Sequence, residues 1–167
     1  MSTLRFNTWQ DTGGTEVANS TLGTGKILQV VRATKNTDFT TSSTSLVDVT
    51  DMSVTITPTA TSSAILIVTA FTQVHYSSST DNLRGVYVIA DSADNPISGT
   101  NNAIVGSTIT GTGSREFWTM VNLMSYDAPA TTSATTYKLR MKSESLANVR
   151  VAGATNLAQM YALEVSA

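Results

Sequence analysis

The sequence predicts a single all-β domain, an antiparallel jelly-roll-like β-sandwich carried behind an extended N-terminal arm. Three observations point there. Short β-branched and aromatic runs recur from Lys26 to the C terminus, separated by clusters of Gly, Ser, Thr, Asn and Asp, the punctuation of antiparallel sheets. Helical periodicity is nearly absent. The 167 residues, 41 % of them apolar, suffice for one hydrophobic core without staples.

Residues 1–25 carry Gly13, Gly14, Gly23 and Gly25 among scattered Leu4, Phe6, Trp9, Val17 and Leu22, a spacing that fits neither a helix nor a strand. A disordered terminus is the plain reading. Against it, Phe6 and Trp9 are costly to leave in water, so we expect an arm that docks through Leu4, Phe6 and Trp9. The domain proper is expected over residues 26–167. Its candidate strands are Ile27 to Ala33, Ser45 to Val49, Ser53 to Thr57, Ala64 to Tyr76, Gly85 to Asp91, Ala103 to Thr110, Arg115 to Tyr126, Thr136 to Lys142, Asn148 to Val151 and Leu157 to Val165.

Alternation assigns faces to some of these. From Tyr137 to Lys142 apolar and basic residues alternate one for one, as in a strand with one face on the core and one in water. Between Leu46 and Ile56 the apolar phase shifts from odd positions (Val47, Val49) to even ones (Met52, Val54, Ile56), which requires a tight turn or a bulge near Thr50 and Asp51. Ile65 to Tyr76 and Phe117 to Tyr126 are apolar on both faces, more than one side of a sandwich needs. Either loops overlie the second face or a neighbouring subunit covers it. On the subunit reading Leu66, Val68, Phe71, Trp118 and Val121 are the expected interface.

Only 13 % of residues are charged, and the formal net charge is −2. There is no basic field to attract nucleic acid or an anionic membrane. With no cysteine, disulfides, thiolate metal sites and cysteine nucleophiles are excluded. Met1 to Gln10 lacks the basic flank and long apolar run of a signal peptide. The run from Ala64 to Phe71 is far short of the roughly 20 apolar residues of a membrane-spanning helix.

Residues that could carry chemistry have plainer readings. The one histidine, His75, has no second imidazole to share a metal and reads as a surface or interface residue. Asp48 with Asp51, Asp91 with Asp94 and Glu144 with Glu164 are the nearest approaches to carboxylate pairs, but the Asp91 to Pro96 and Asp127 to Pro129 stretches read as turns. Gly13-Gly14 and Gly111-Thr112-Gly113 precede no helix that could hold a phosphate. Trp118, Tyr126, Tyr87 and Tyr161 read as core or interface, with a carbohydrate platform as the alternative. No enzyme, metal or cofactor is expected.

The opening Met1-Ser-Thr-Leu-Arg-Phe-Asn-Thr-Trp-Gln-Asp-Thr-Gly-Gly resembles the N-terminal attachment segment of tail-fibre and other virion proteins of tailed bacteriophages. Gly25 to Val31, then Asp51 to Pro58, Ser62 to Val68 and Ala158 to Val165 are similar, in order, to a β-sandwich module of such proteins. The resemblance implies a virion structural protein made in the host cytoplasm, anchored by its arm and assembled as a homotrimer. It implies a short tail fibre or receptor-binding component that presents loops such as Ser77 to Arg84, Asp91 to Asn102 and Asp127 to Ala134 to host surface glycans. The arm runs directly into the domain with no shaft between, so a capsid decoration protein is the alternative. Tail or capsid proteins are its expected partners.

Overall fold

A computed structural model describes residues 25–77, 82–100, 103–108, 115–144, 148–154 and 156–167. The proposed anchors Leu4, Phe6 and Trp9 lie outside the described residues. Ten strands are present among those described: β1 (Ile27–Lys35), β2 (Phe39–Thr41), β3 (Val47–Ile56), β4 (Ala64–Ser77), β5 (Asn82–Asp91), β6 (Ala103–Thr108), β7 (Arg115–Asp127), β8 (Thr135–Ser143), β9 (Asn148–Val151) and β10 (Ala158–Val165). They form two antiparallel sheets, a β-sandwich. In one sheet the order is β1, β10, β4, β9, β2, with β7 on the opposite edge of β4; the other runs β3, β8, β5, β6.

The long strand β4 organises the first sheet. One edge pairs with β10 along Ala64 to Ala70 and with β9 along Gln73 to Tyr76, while the other pairs with β7 from Ile65↔Asp127 to Ser77↔Arg115. β2, three residues inside a Ser/Thr-rich stretch, was not anticipated; it pairs with β9 as Phe39↔Val151 and turns Phe39 toward the core.

The phase change in β3 is resolved as one bent strand. Its register against β8 shifts between Asp48 and Ser53, and Asp51 at the bend has φ 65°. Asp is among the few non-glycine residues that tolerate this left-handed backbone. Ahead of the bend Val49, and beyond it Met52, Val54 and Ile56, all reach the core.

Inward-facing residues of both sheets meet between them. Phe71 of β4 packs on Tyr87 of β5 with ring centroids 4.9 Å apart, a tilted pair of the kind favoured by ring quadrupoles. Around it lie Ile65, Ile67, Ile89, Val121, Leu139, Met141, Val149 and Met160. Phe71 and Val121 are thus core residues, contrary to the interface expected for them: they form a cross-strand pair on the inner face of the sheet. β5 is buried on both sides, since Val86, Val88 and Ala90 on its outer face pack with Leu46.

Tight backbone approaches hold the ends together. Gly153 has no room for a side chain: a Cβ there would collide with the carbonyl oxygen of Thr37. Gly25 donates to the carbonyl of Ser166, and Ser166 returns a bond to Lys26, so the start and end of the domain are side by side.

Candidate functional site

The two sheets differ on their outer faces. On β8 of the four-stranded sheet, Lys138 and Arg140 point outward. Lys138 bonds Asp48 at 3.0 Å and also pairs with Asp94; Arg140 bonds Asp48 at 2.8 Å and Asp94 at 3.1 Å. These hydrogen bonds, with the Asp94 and Asp48 carboxylates first, push the Lys138 ammonium pKa up, and the bond from Lys138 holds Asp94 below the usual carboxylate range. This face carries a charge ladder beside the buried Val88 and Ala90 of β5.

The outer face of the six-stranded sheet is apolar over the rows that pass through Leu66 and Val68. Register places Val30, Leu163, Leu66 and Tyr126 in one row across β1, β10, β4 and β7, and Arg32, Tyr161, Val68 and Met124 in the next. Val30, Tyr126, Met124 and Met120 are 55 %, 59 %, 60 % and 73 % exposed. Arg32 lies over the Tyr161 ring at 5.7 Å and donates to Gln159, so the one charge in these rows is drawn down onto the face. Single exposed apolar residues are ordinary on soluble proteins, whereas adjoining rows of them are not. Leu66, Val68 and Trp118, three of the five expected interface residues, lie on this face.

Farther along the same face the chemistry changes. Trp118 of β7 donates its indole N–H to Glu116 at 3.0 Å, and the Arg150 guanidinium of β9 sits 5.3 Å from the centre of the Trp118 ring. Beside them opens a hollow of about 190 Å³.

Sequence reading misplaced His75, expected at the surface or an interface, whereas Tyr87 lies in the core, the plainer of its two readings. Both are fully buried. β4 alternates inward at odd positions, which turns Thr69, Gln73 and His75 into the sandwich. Among the described residues neither imidazole nitrogen of His75, neither end of the Gln73 amide nor the Tyr87 hydroxyl meets a hydrogen-bond partner. Burial lowers the His75 pKa to about 4, so the ring is neutral at pH 7. Tyr87, likewise desolvated, is no sugar platform.

Two carboxylates are engaged by donors within the fold. Glu164 accepts from the Thr59 amide (2.6 Å), the Thr59 hydroxyl (2.7 Å) and the Gln29 amide (2.6 Å). Burial pushes its pKa up, yet these donors outweigh it, together with the pull of the Ser63 hydroxyl, which lies buried alongside without a formed hydrogen bond; the carboxyl is held at about 2. Asp91 closes a turn by accepting from Ala93 and Asn95, and Asn95, through its side chain first, holds the Asp91 pKa down. The rest of that loop packs inward, where Thr100 accepts from the Ile89 amide and meets Ser125 at 3.1 Å. Among the described residues no group of three or more His, Cys, Asp and Glu side chains could hold a metal.

No family model matches the chain, and no curated protein is significantly similar to it. Similar solved structures include the VP2 protein of infectious bursal disease virus in derived T=1 particles (12 % identity, TM-score 0.33, 83 % of this chain and 36 % of that one). Others are the Gt strain of that virus (15 % identity, TM-score 0.36, 83 % and 38 %) and its VP2 subviral particle (14 %, 0.34, 83 % and 38 %). The chain thus aligns with less than two fifths of the length of these proteins. At such identities and scores the likeness decides neither family nor function.

Proposed function

We propose that this chain is a non-enzymatic structural component of a tailed-phage virion, a homotrimer that attaches through residues 1–25 and faces the host, most simply as a short tail-fibre or receptor-binding protein. The carrying observation is the contrast between the two outer faces: one bears a charge ladder, the other rows of Val, Leu, Met and Tyr, with Val30, Met124 and Tyr126 exposed, that further copies would remove from water. The N-terminal resemblance supports the attachment role. So does the strand order. Reading the long strands as β1, β10, β4, β7 over β3, β8, β5, β6 gives the order that a doubly wound Greek key produces, a jelly roll of the sort shared by viral capsid and lectin domains; that is analogy at the level of fold. A non-enzymatic role agrees with carboxylates committed to Lys138, Arg140, Thr59 and Gln29.

Light scattering on the full chain is expected to give three chain masses, and Met124→Lys to give a folded monomer. A wild-type monomer would remove the trimer. Deleting residues 1–25 should leave a folded domain that no longer joins the particle, and incorporation of the truncated chain would refute the anchor. Immunogold labelling of intact particles should mark the tail tip; label spread over the head would instead make this a capsid decoration protein.

A further inference from the structure

The hollow beside Trp118 is built from four strands. Reading across the sheet, Thr40 of β2, Arg150 of β9, Val74 of β4 and Trp118 of β7 form one row, and Asn148, Tyr76 and Glu116 form the next. Thr40, Val74, Tyr76, Glu116, Asn148 and Arg150 line the space. Val74 is its buried apolar floor and Tyr76, 42 % exposed, contributes an aromatic wall.

From this geometry we infer that the hollow is a binding site for one neutral pyranose ring. Its size is below the roughly 300–1,000 Å³ of pockets for drug-sized ligands, so it suits a single ring. Its walls combine an aromatic and an aliphatic surface with a carboxylate that only accepts, a guanidinium that only donates, and an amide and a hydroxyl that do both. Sugar hydroxyls donate and accept at once, and the C–H face of a pyranose is apolar, so one ring uses both kinds of wall.

Charge selects against other ligands. Arg150 is already paired with Asp38 at 3.2 Å, and among the described residues Glu116 has an indole N–H partner but no ion pair, a charge balance that disfavours phosphates and uronates. A cation is no better placed, because the guanidinium of Arg150 already occupies the Trp118 face. Glu116 is oriented by the indole N–H it accepts, and orientation before binding reduces the entropy lost on association. The apolar rows centred near Ile67 lie eight residues from His75 along β4, about 26 Å at strand spacing, so self-association confined to those rows, and not extending over Met120 and Trp118, leaves the hollow open.

The site rests on the host-attachment reading for its biological meaning: the ring would belong to a neutral surface polysaccharide, recognised by a sheet face and not by the loops. The test uses the full chain, isotope-labelled, titrated with methyl glycosides of glucose, galactose, mannose and N-acetylglucosamine, the corresponding free sugars, and glucuronate. At least one methyl glycoside should shift the backbone amides of Tyr76, Asn148 and Arg150, with a dissociation constant on the order of 1 mM. Tyr76→Ala and Asn148→Ala, both at exposed positions, should each weaken it about tenfold while leaving the melting temperature and oligomeric state unchanged. No response to any glycoside, a response unaltered in both variants, or tighter binding of glucuronate would overturn the site. Preference for a free sugar over its methyl glycoside would overturn the polysaccharide source. Glycoside binding by a chain that fails to enter the particle would leave the site standing and sink the virion reading instead.

Discussion

The phenol of Tyr137 donates a 2.6 Å hydrogen bond to Oδ2 of Asp127, joining β8 of one sheet to the last residue of β7 in the other. Tyr137 is fully buried, and desolvation first, then the Asp127 carboxylate, pushes its pKa far above the usual phenol range. The bond is a charge-assisted strut between the sheets. Tyr137→Phe keeps the ring packing and removes only the donor, so urea denaturation should show a loss of about 1.5–3 kcal/mol; an unchanged midpoint would mean that water replaces the phenol at no cost.

Acid should weaken the fold in two steps. His75 is neutral when folded, with its pKa lowered to about 4, but takes a proton near 6.5 when unfolded. The unfolded state therefore binds more protons between these values. The contribution is whole above pH 6.5 and declines as the pH falls toward 4, by on the order of 2–3 kcal/mol. As the chain has no other histidine, His75→Gln should flatten the stability profile over that window. A slope that persists in the variant would reassign it to carboxylates.

Glu164 acts in a lower window with the same sign. Its folded pKa, about 2 against an ordinary 4.5, gives stability that is full above pH 4.5 and lost as the pH falls through 2. Glu164→Gln should melt below the wild type at pH 7, and the two curves should converge near pH 2. Parallel curves at every pH would show that the defect is one of shape and not of charge.

Gly153 should tolerate nothing larger. The added methyl of Gly153→Ala would meet backbone, the carbonyls of Thr37 and Lys35, and not the yielding end of a side chain. A loss of about 2–4 kcal/mol, or failure to fold, is expected. Wild-type melting would show that the Thr37 segment shifts freely.

Parity separates folding from assembly on β7. Val121→Glu places a charge in the core and should give insoluble or unfolded chain, whereas Met124→Lys, three residues on and on the outer face, should melt as the wild type does while losing self-association. If both variants behave alike, the two faces are not distinct in function.

What could be read without coordinates follows from local pattern. The one-for-one alternation of Tyr137 to Lys142 placed β8 with its wet face outward, and the shift of phase around Asp51 announced the bend in β3. Faces were unreadable where both parities are apolar: along β4 and β7 nothing in the sequence says whether Leu66 or Phe71, Trp118 or Val121 looks inward, so the expected interface mixed the two, and His75 was set at the surface. β2 is too short to alternate, and its partner β9 lies more than a hundred residues away. The hollow was invisible for the same reason, since Thr40, Tyr76, Glu116 and Arg150 become neighbours only through the pairing of four strands.

The charge ladder of Asp48, Asp94, Lys138 and Arg140 bears on how growth stops. A subunit with one adhesive face and one charged face has a single surface to satisfy: once those surfaces close on one another about the threefold axis, further protein has nothing to add to. Replacing Lys138 and Arg140 together by methionine would give each closed oligomer a second adhesive surface, and a solution of discrete particles would give way to larger, open assemblies.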